Sequence, residues 1–195
     1  MRLLPVAISV ITVLALTVLG CGSDNGATGP SGSGSTFTLM LKDSPFTDAK
    51  SVLVTFSEVT AHRETEANFT KLPFPAAATS RTCDLKKLQT AQDVLGTGTL
   101  PPGRYTQVRL VVSSATIYFD NAAAGADCAP TITAPAGRSA ALDIPSGEVK
   151  LNRQFEVPAS GTTTMLIDFD GDRSIRETGN GRYMMTPVIA VVSVQ

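Results

Sequence analysis

The densest polar constellation in the chain is Asp168-Phe169-Asp170-Gly171-Asp172-Arg173-Ser174, whose carboxylates suggest a hard cation such as calcium. Asp168, Asp170 and Asp172 fit the first oxygen positions of a hand-shaped calcium loop. Arg173, however, stands where that loop needs a glycine, and Gly179 where it needs its closing glutamate. The metal reading shrinks to Asp170 and Asp172 as weak donors, and no cofactor is expected. The competing reading is a strand ending in a Gly-centred hairpin whose acids face water, with Arg173 offsetting them. Nucleophilic chemistry is no better served. Ser113 and Ser114 lack the G-x-S-x-G turn, and His62, the one imidazole, sits at the polar exit of a strand with no second histidine for zinc. Paired carboxylates can hydrolyse glycosides on any fold, but their separation is not readable across strands. No catalytic residue is assigned. A noncatalytic binding or attachment module is expected, with a carboxylate hydrolase as the alternative from another class.

The three cysteines say more about location than about chemistry. Arg2 precedes an apolar run from Leu3 to Gly20, which stops at Cys21 and gives way to GSDNGATGPSGSGS. Val18-Leu19-Gly20-Cys21 resembles a bacterial lipobox, which implies a signal peptide over 1–20, an acylated Cys21 carrying palmitate-type chains, and a flexible tether over 21–35. The competing readings are an ordinary secretory leader or an uncleaved anchor. Acyl chains on Cys21 would make the membrane a partner and the bacterial envelope the address. Gly22, where an aspartate would signal inner-membrane retention, leans the address toward the outer membrane, on its periplasmic or surface side. In an exported chain the even pair Cys83 and Cys128 defaults to a disulfide, with free thiols or metal ligands as alternatives.

The elements that carry these residues read as short strands. Phe37, Leu39 and Leu41 alternate with polar neighbours, as do Val52, Val54 and Phe56, and further strands are expected at 115–119, 140–144, 149–157, 163–169 and 183–194. Leu85, Leu88, Gln92 and Leu95 recur at helical spacing, the one helix candidate worth naming, although irregular chain fits the segment equally well. In Arg104–Val112, Thr106, Val108, Leu110 and Val112 share one face, and Tyr105, Gln107 and Arg109 the other. The guanidinium of Arg109 turns the second face to solvent. If Ile167 and Phe169 point inward, Asp168 points outward and joins Arg109. Tyr105, Gln107, Arg109 and Asp168 thus form the candidate ligand-binding face, with Tyr118 and Tyr183 as further stacking platforms for a sugar. An all-β, two-sheet sandwich over 36–195 follows. Of 195 residues 43% are hydrophobic and 17% charged, enough apolar surface for a core that needs no metal. Lys and Arg number 16 against 17 Asp and Glu, so no basic footprint exists and nucleic acid is not an expected partner. An envelope protein or a glycan is.

Leu41-Lys42-Asp43-Ser44-Pro45, Gly103-Arg104-Tyr105-Thr106-Gln107-Val108-Arg109-Leu110 and the closing Asp168-Phe169-Asp170 with Tyr183 to Ile189 together resemble a bacterial lipoprotein family known only as domain of unknown function 4382. The resemblance covers about 36–193 and implies a tethered envelope β-sandwich without an assigned ligand or reaction. Pro102-Gly103-Arg104-Tyr105 is also similar to the hairpin entry of prealbumin-like modules. The sandwich is accordingly expected to be prealbumin-like or immunoglobulin-like.

Overall fold

The computed structural model describes residues 34–44 and 48–195; the leader, Cys21, nearly all of the tether and Pro45 lie outside the described residues. Among them the chain runs through β1 (Ser35–Ser44), β2 (Ser51–Arg63), β3 (Phe69–Lys71), β4 (Arg81–Asp84), β5 (Asp93–Leu100), β6 (Gly103–Tyr118), β7 (Cys128–Ala129), β8 (Ser139–Asp143), β9 (Glu148–Val157) and β10 (Thr162–Asp170). A one-turn helix, α1 (Gly171–Ser174), leads to β11 (Ile175–Gly179), β12 (Arg182–Met185) and β13 (Ile189–Val194). Two sheets result, as a β-sandwich requires. The first has the order β13-β10-β1-β5; the second runs β11-β12-β8-β6-β2-β4-β7, with β3 added to β2 and β9 to β6.

Period-two alternation builds the core. In β1, Phe37, Leu39 and Leu41 turn inward; in the parallel β10, Met165, Ile167 and Phe169 do the same, and the two strands keep register from Thr36↔Thr162 to Ser44↔Asp170. From the second sheet, Val54, Phe56, Val108 and Leu110 close the same core. A stack of three rings crosses the sandwich. Phe37 of β1 lies 5.3 Å from Phe155 of β9, which lies 5.3 Å from Tyr105 of β6. Ser35, assigned to the tether from sequence, already belongs to β1 and donates its hydroxyl to Gly161 O at 2.9 Å.

Cys83 and Cys128 stand opposite each other on β4 and β7 with Cα atoms 4.1 Å apart, joined as a disulfide. By chain-entropy reasoning this bridge contributes about 4 kcal/mol. Asp84, the next residue, is fully buried and accepts bonds from Ser51 Oγ (2.7 Å), Val52 N (3.0 Å) and Lys86 N (3.2 Å). Its burial is stabilised by those donors.

Four sequence expectations need correction. The helix over Leu85–Leu95 is a 3-10 turn at Lys87–Gln89 followed by β5. Its strand pattern is masked because two of its positions, Gly96 and Gly98, carry no side chain, and at Gly98 there is no room for one: a Cβ there would meet Pro73 Cδ at 2.9 Å. The hairpin expected after Asp170 is α1, and the single strand over 183–194 is two strands separated at Pro187, a residue that cannot donate to a ladder. Finally, 104–112 and 115–119 are one strand, β6, whose register shifts against β2 at Thr55/Phe56 and Phe56/Glu58 bend it without breaking it.

Asp43 closes the inner row of β1. It is 5% exposed, and its Oδ1 has no hydrogen-bond partner. Burial, aided by the nearby Asp168 and Asp170 charges, pushes its carboxyl up from 3.8 to about 8 against the opposing pull of a Gln89 hydrogen bond and Lys86. In the unfolded chain it ionises near its ordinary value. Folding therefore takes up a proton between about pH 4 and pH 8, and this contribution to stability is complete below that window and lost across it as pH rises. Asp43→Asn should flatten the pH dependence of the urea midpoint, gaining on the wild type by on the order of a few kcal/mol between pH 4 and pH 8. Parallel profiles for the two proteins would contradict the buried, protonated acid.

Candidate functional site

The outer face of β6 and β9 holds a chain of polar contacts. Arg109 lies 3.4 Å from the Glu148 carboxylate, donates from Nη2 to Gln107 Oε1 at 3.1 Å, and rests its guanidinium 4.1 Å from the Phe69 ring centre. Gln107 donates in turn to Asn152 Oδ1 at 2.5 Å. Glu148 also meets Lys150 at 2.7 Å, and this hydrogen bond, with Arg109 and Lys150 charge, holds its carboxyl below the ordinary value. His62 bonds Thr106 Oγ1 at 3.0 Å and packs on Phe69 at 4.8 Å. The surface is a network of mutual partners, with Arg109 Nε left without a hydrogen bond.

Gln107 and Arg109 are thus neighbours facing outward, but Tyr105 is not with them. It is completely buried, its hydroxyl donating to Pro101 O at 2.9 Å, and burial raises its phenol above the ordinary 10. The cause is a register shift against β9 between Tyr105 and Gln107, which reverses the alternation and puts Tyr105 on the same side as Val108 and Leu110. Asp168 does point outward, beside Leu166 and Asp170, yet on the first sheet. Its partners are Lys42 at 3.1 Å and Ser44 Oγ at 3.1 Å, and the pairing with Arg109 expected from sequence does not form. Strand order, which separates β10 from β6, decides this.

The carboxylate run is spent on local structure. Asp170 caps α1, accepting from Arg173 N at 3.0 Å, with the Arg173 guanidinium 3.9 Å away; Asp172 is exposed in the first turn. Among the described residues no group of three or more His, Cys, Asp or Glu side chains is arranged to hold a metal ion. Ser113 is exposed and donates to Thr55 O at 3.2 Å.

A concave surface lies elsewhere, at the far end of the second sheet. Ser139, Ala140, Ala141, Asp143, Gly181, Arg182 and Tyr183 line a depression of about 390 Å³. An adjoining one of about 340 Å³ shares Ser139, Ala140, Gly181 and Tyr183 and adds Phe119 and Arg138. The parallel pairing Tyr183↔Leu142 and Met184↔Asp143 sets β12 against β8, and the β11–β12 hairpin turns at Asn180 (φ 55°) and Gly181 (φ 70°). Positive φ at both central residues is the two-residue turn for which Asn-Gly is the strongest sequence signal. That signal was present in the sequence and would have located the hairpin; Tyr183 alone of this surface figured among the sequence candidates.

The molecule is therefore a disulfide-bridged, two-sheet β-sandwich with an interlinked polar face and a separate groove. Residues 34–187 match the family model described as Domain of unknown function (DUF4382), and the chain belongs to that family. No curated protein and no solved structure matches the chain.

The two sides of β6 should respond differently to truncation. Tyr105→Ala removes a ring from the core and should cost about 3–5 kcal/mol, whereas Arg109→Ala, which loses a partly exposed ion pair and one cation–π contact, should cost about 1 kcal/mol. Urea midpoints followed by far-UV dichroism compare them, and equal costs would reject the inward placement of Tyr105.

Proposed function

We propose that this chain is a noncatalytic module of the bacterial envelope, held to a membrane by acyl chains on Cys21 and serving to bind or attach a partner there. The observation that carries the noncatalytic reading is how the reactive groups are spent. The single imidazole is engaged by Thr106 and Phe69, and the carboxylates of Asp93, Asp120, Glu148, Asp168 and Asp170 each face a lysine or arginine. General acid–base work needs a titratable group free to reach a substrate. The Cys83–Cys128 bridge supports export, because such bonds persist in oxidising compartments. The leader, the tether and the outer-membrane address belong to the same proposal and rest on the sequence from Arg2 to Ser35.

Metabolic labelling with an alkyne-bearing palmitate tests the anchor. The wild type should carry label and sediment with membranes, while Cys21→Ala should lose both. Equal labelling of the two proteins would overturn the lipid anchor. Cross-linking of the wild type in intact cells tests attachment: a discrete cross-linked species supports it, and recovery of the free chain alone counts against it.

A further inference from the structure

We propose that Asn180 is a site of spontaneous covalent modification, at which the backbone nitrogen of Gly181 displaces the side-chain amide and leaves aspartate or isoaspartate in the β11–β12 turn.

The reaction needs an asparagine side chain free to move, a following N–H not committed to a ladder, and no side chain on the following residue to crowd the ring that forms. Among the described residues asparagine stands at 68, 121, 152 and 180. Asn121 donates its amide to Ala136 O at 2.9 Å and Asn152 accepts from Gln107, so both side chains are tied. Asn68 precedes Phe69, whose ring lies against Arg109 and His62. Asn180 is the one of these that precedes a glycine, and its side-chain amide makes no hydrogen bond. The Gly181 N–H makes no backbone bond either. Its one contact is the exposed Glu177 carboxylate at a long 3.3 Å. In a two-residue hairpin turn the flanking residues close the ladder, which leaves the central N–H groups outside it.

The turn is also able to move. Asn180 and Gly181 are exposed, and nothing lies within 4 Å of where a Cβ on Gly179 or Gly181 would stand. The hairpin joins the sheet only through Tyr183↔Leu142 and Met184↔Asp143, so local opening at its tip is cheap. Opening frees Asn180 from its resting φ of 55° and lets its Cγ swing over the Gly181 nitrogen. Hydroxide then takes the N–H proton, the nitrogen electron pair forms a bond to Cγ, and the Cγ–Nδ2 bond breaks. The leaving nitrogen takes a proton from water, departs as ammonia and regenerates the hydroxide. Water opens the resulting five-membered imide. Addition at Cγ leaves aspartate, and addition at the main-chain carbonyl carbon leaves isoaspartate, whose peptide link runs through the side chain. Water is the only co-reactant.

Either product adds a negative charge beside Glu177, and isoaspartate also lengthens a turn whose register rests on two central residues. The Gly179↔Arg182 pairing is strained first, and β11, bonded only to β12, loosens with it. Gly181 lines both depressions beside β8, so the change reshapes the wall of the groove and leaves the core alone.

The full-length protein in detergent can be incubated for several weeks at physiological temperature in heavy-oxygen water, at neutral and at mildly alkaline pH. A free peptide of residues 176–184 is incubated alongside as the clock. Pepsin digestion in acid, followed by mass spectrometry with electron-transfer fragmentation, reads each asparagine and separates isoaspartate from aspartate. Position 180 should take up heavy oxygen, faster at alkaline pH and with isoaspartate among the products, while Asn121 and Asn152 stay intact. An unchanged Asn180 once the free peptide has converted overturns the proposal, as does conversion of Asn121 and Asn152 at the same rate. The converted protein, separated by ion exchange, should be cut by trypsin after Arg182 faster than the unconverted protein. Equal cleavage of the two would overturn the loosening of the hairpin.

Discussion

Parallel strands cannot be joined by a tight turn, so the β1–β10 pair in the middle of the first sheet obliges the chain to lay down most of the second sheet before that ladder can close. The entropy of closing so long a connection is recovered from the inner rows Phe37, Leu39, Leu41 and Met165, Ile167, Phe169, which face the second sheet together. The same pairing brings the ends of two distant motifs side by side. Asp43 and Ser44 end one strand where Asp168 and Asp170 end the other, and the cluster sorts by pleat: Asp43 turns inward and holds a proton, while Asp168 turns outward and takes Lys42 and Ser44 as partners. Carboxylates that look equivalent in sequence thus end in opposite environments.

The second sheet is held by different means. Its long strand β6 is bent by bulges, its far edge is stapled by Cys83–Cys128, and its packing against the first sheet runs through the Phe37–Phe155–Tyr105 stack. Tyr105 contributes by being on the unexpected side. One extra residue in the ladder converts a surface tyrosine into a core ring, and the outer face that remains spends Arg109 on Phe69, Glu148 and Gln107. One concave region arises where β8 is short and the β11–β12 hairpin joins it.

Much of this architecture was legible because alternation survives in the sequence. The strands at 149–157 and 163–169 lie within a residue of their observed bounds, and the inward set Ile167 and Phe169 and the bridging cysteines follow from pattern and count. What escaped did so for local physical reasons. Gly96 and Gly98 erase the alternation of β5 because neither carries a side chain, and Pro73 fills the space where one on Gly98 would be. Tyr105 was misplaced because a bulge leaves no mark in a period-two pattern. The Arg109–Asp168 pairing failed because strand order is a tertiary property that no spacing encodes. The groove, too, is assembled from β8, β12 and the residue after β6, so only its Asn180-Gly181 turn had a readable local signature.

The chain enters the sandwich at Ser35, on a strand that is bonded along both edges, to β10 on one side and β5 on the other. A pull delivered along that strand from the preceding chain loads both ladders in shear, so many hydrogen bonds must fail at once, whereas an edge strand peels one bond at a time. Resistance of this kind is a matter of unfolding rate. Load arriving from the chain ahead of Ser35 would therefore be carried by the middle of the first sheet and not by an edge.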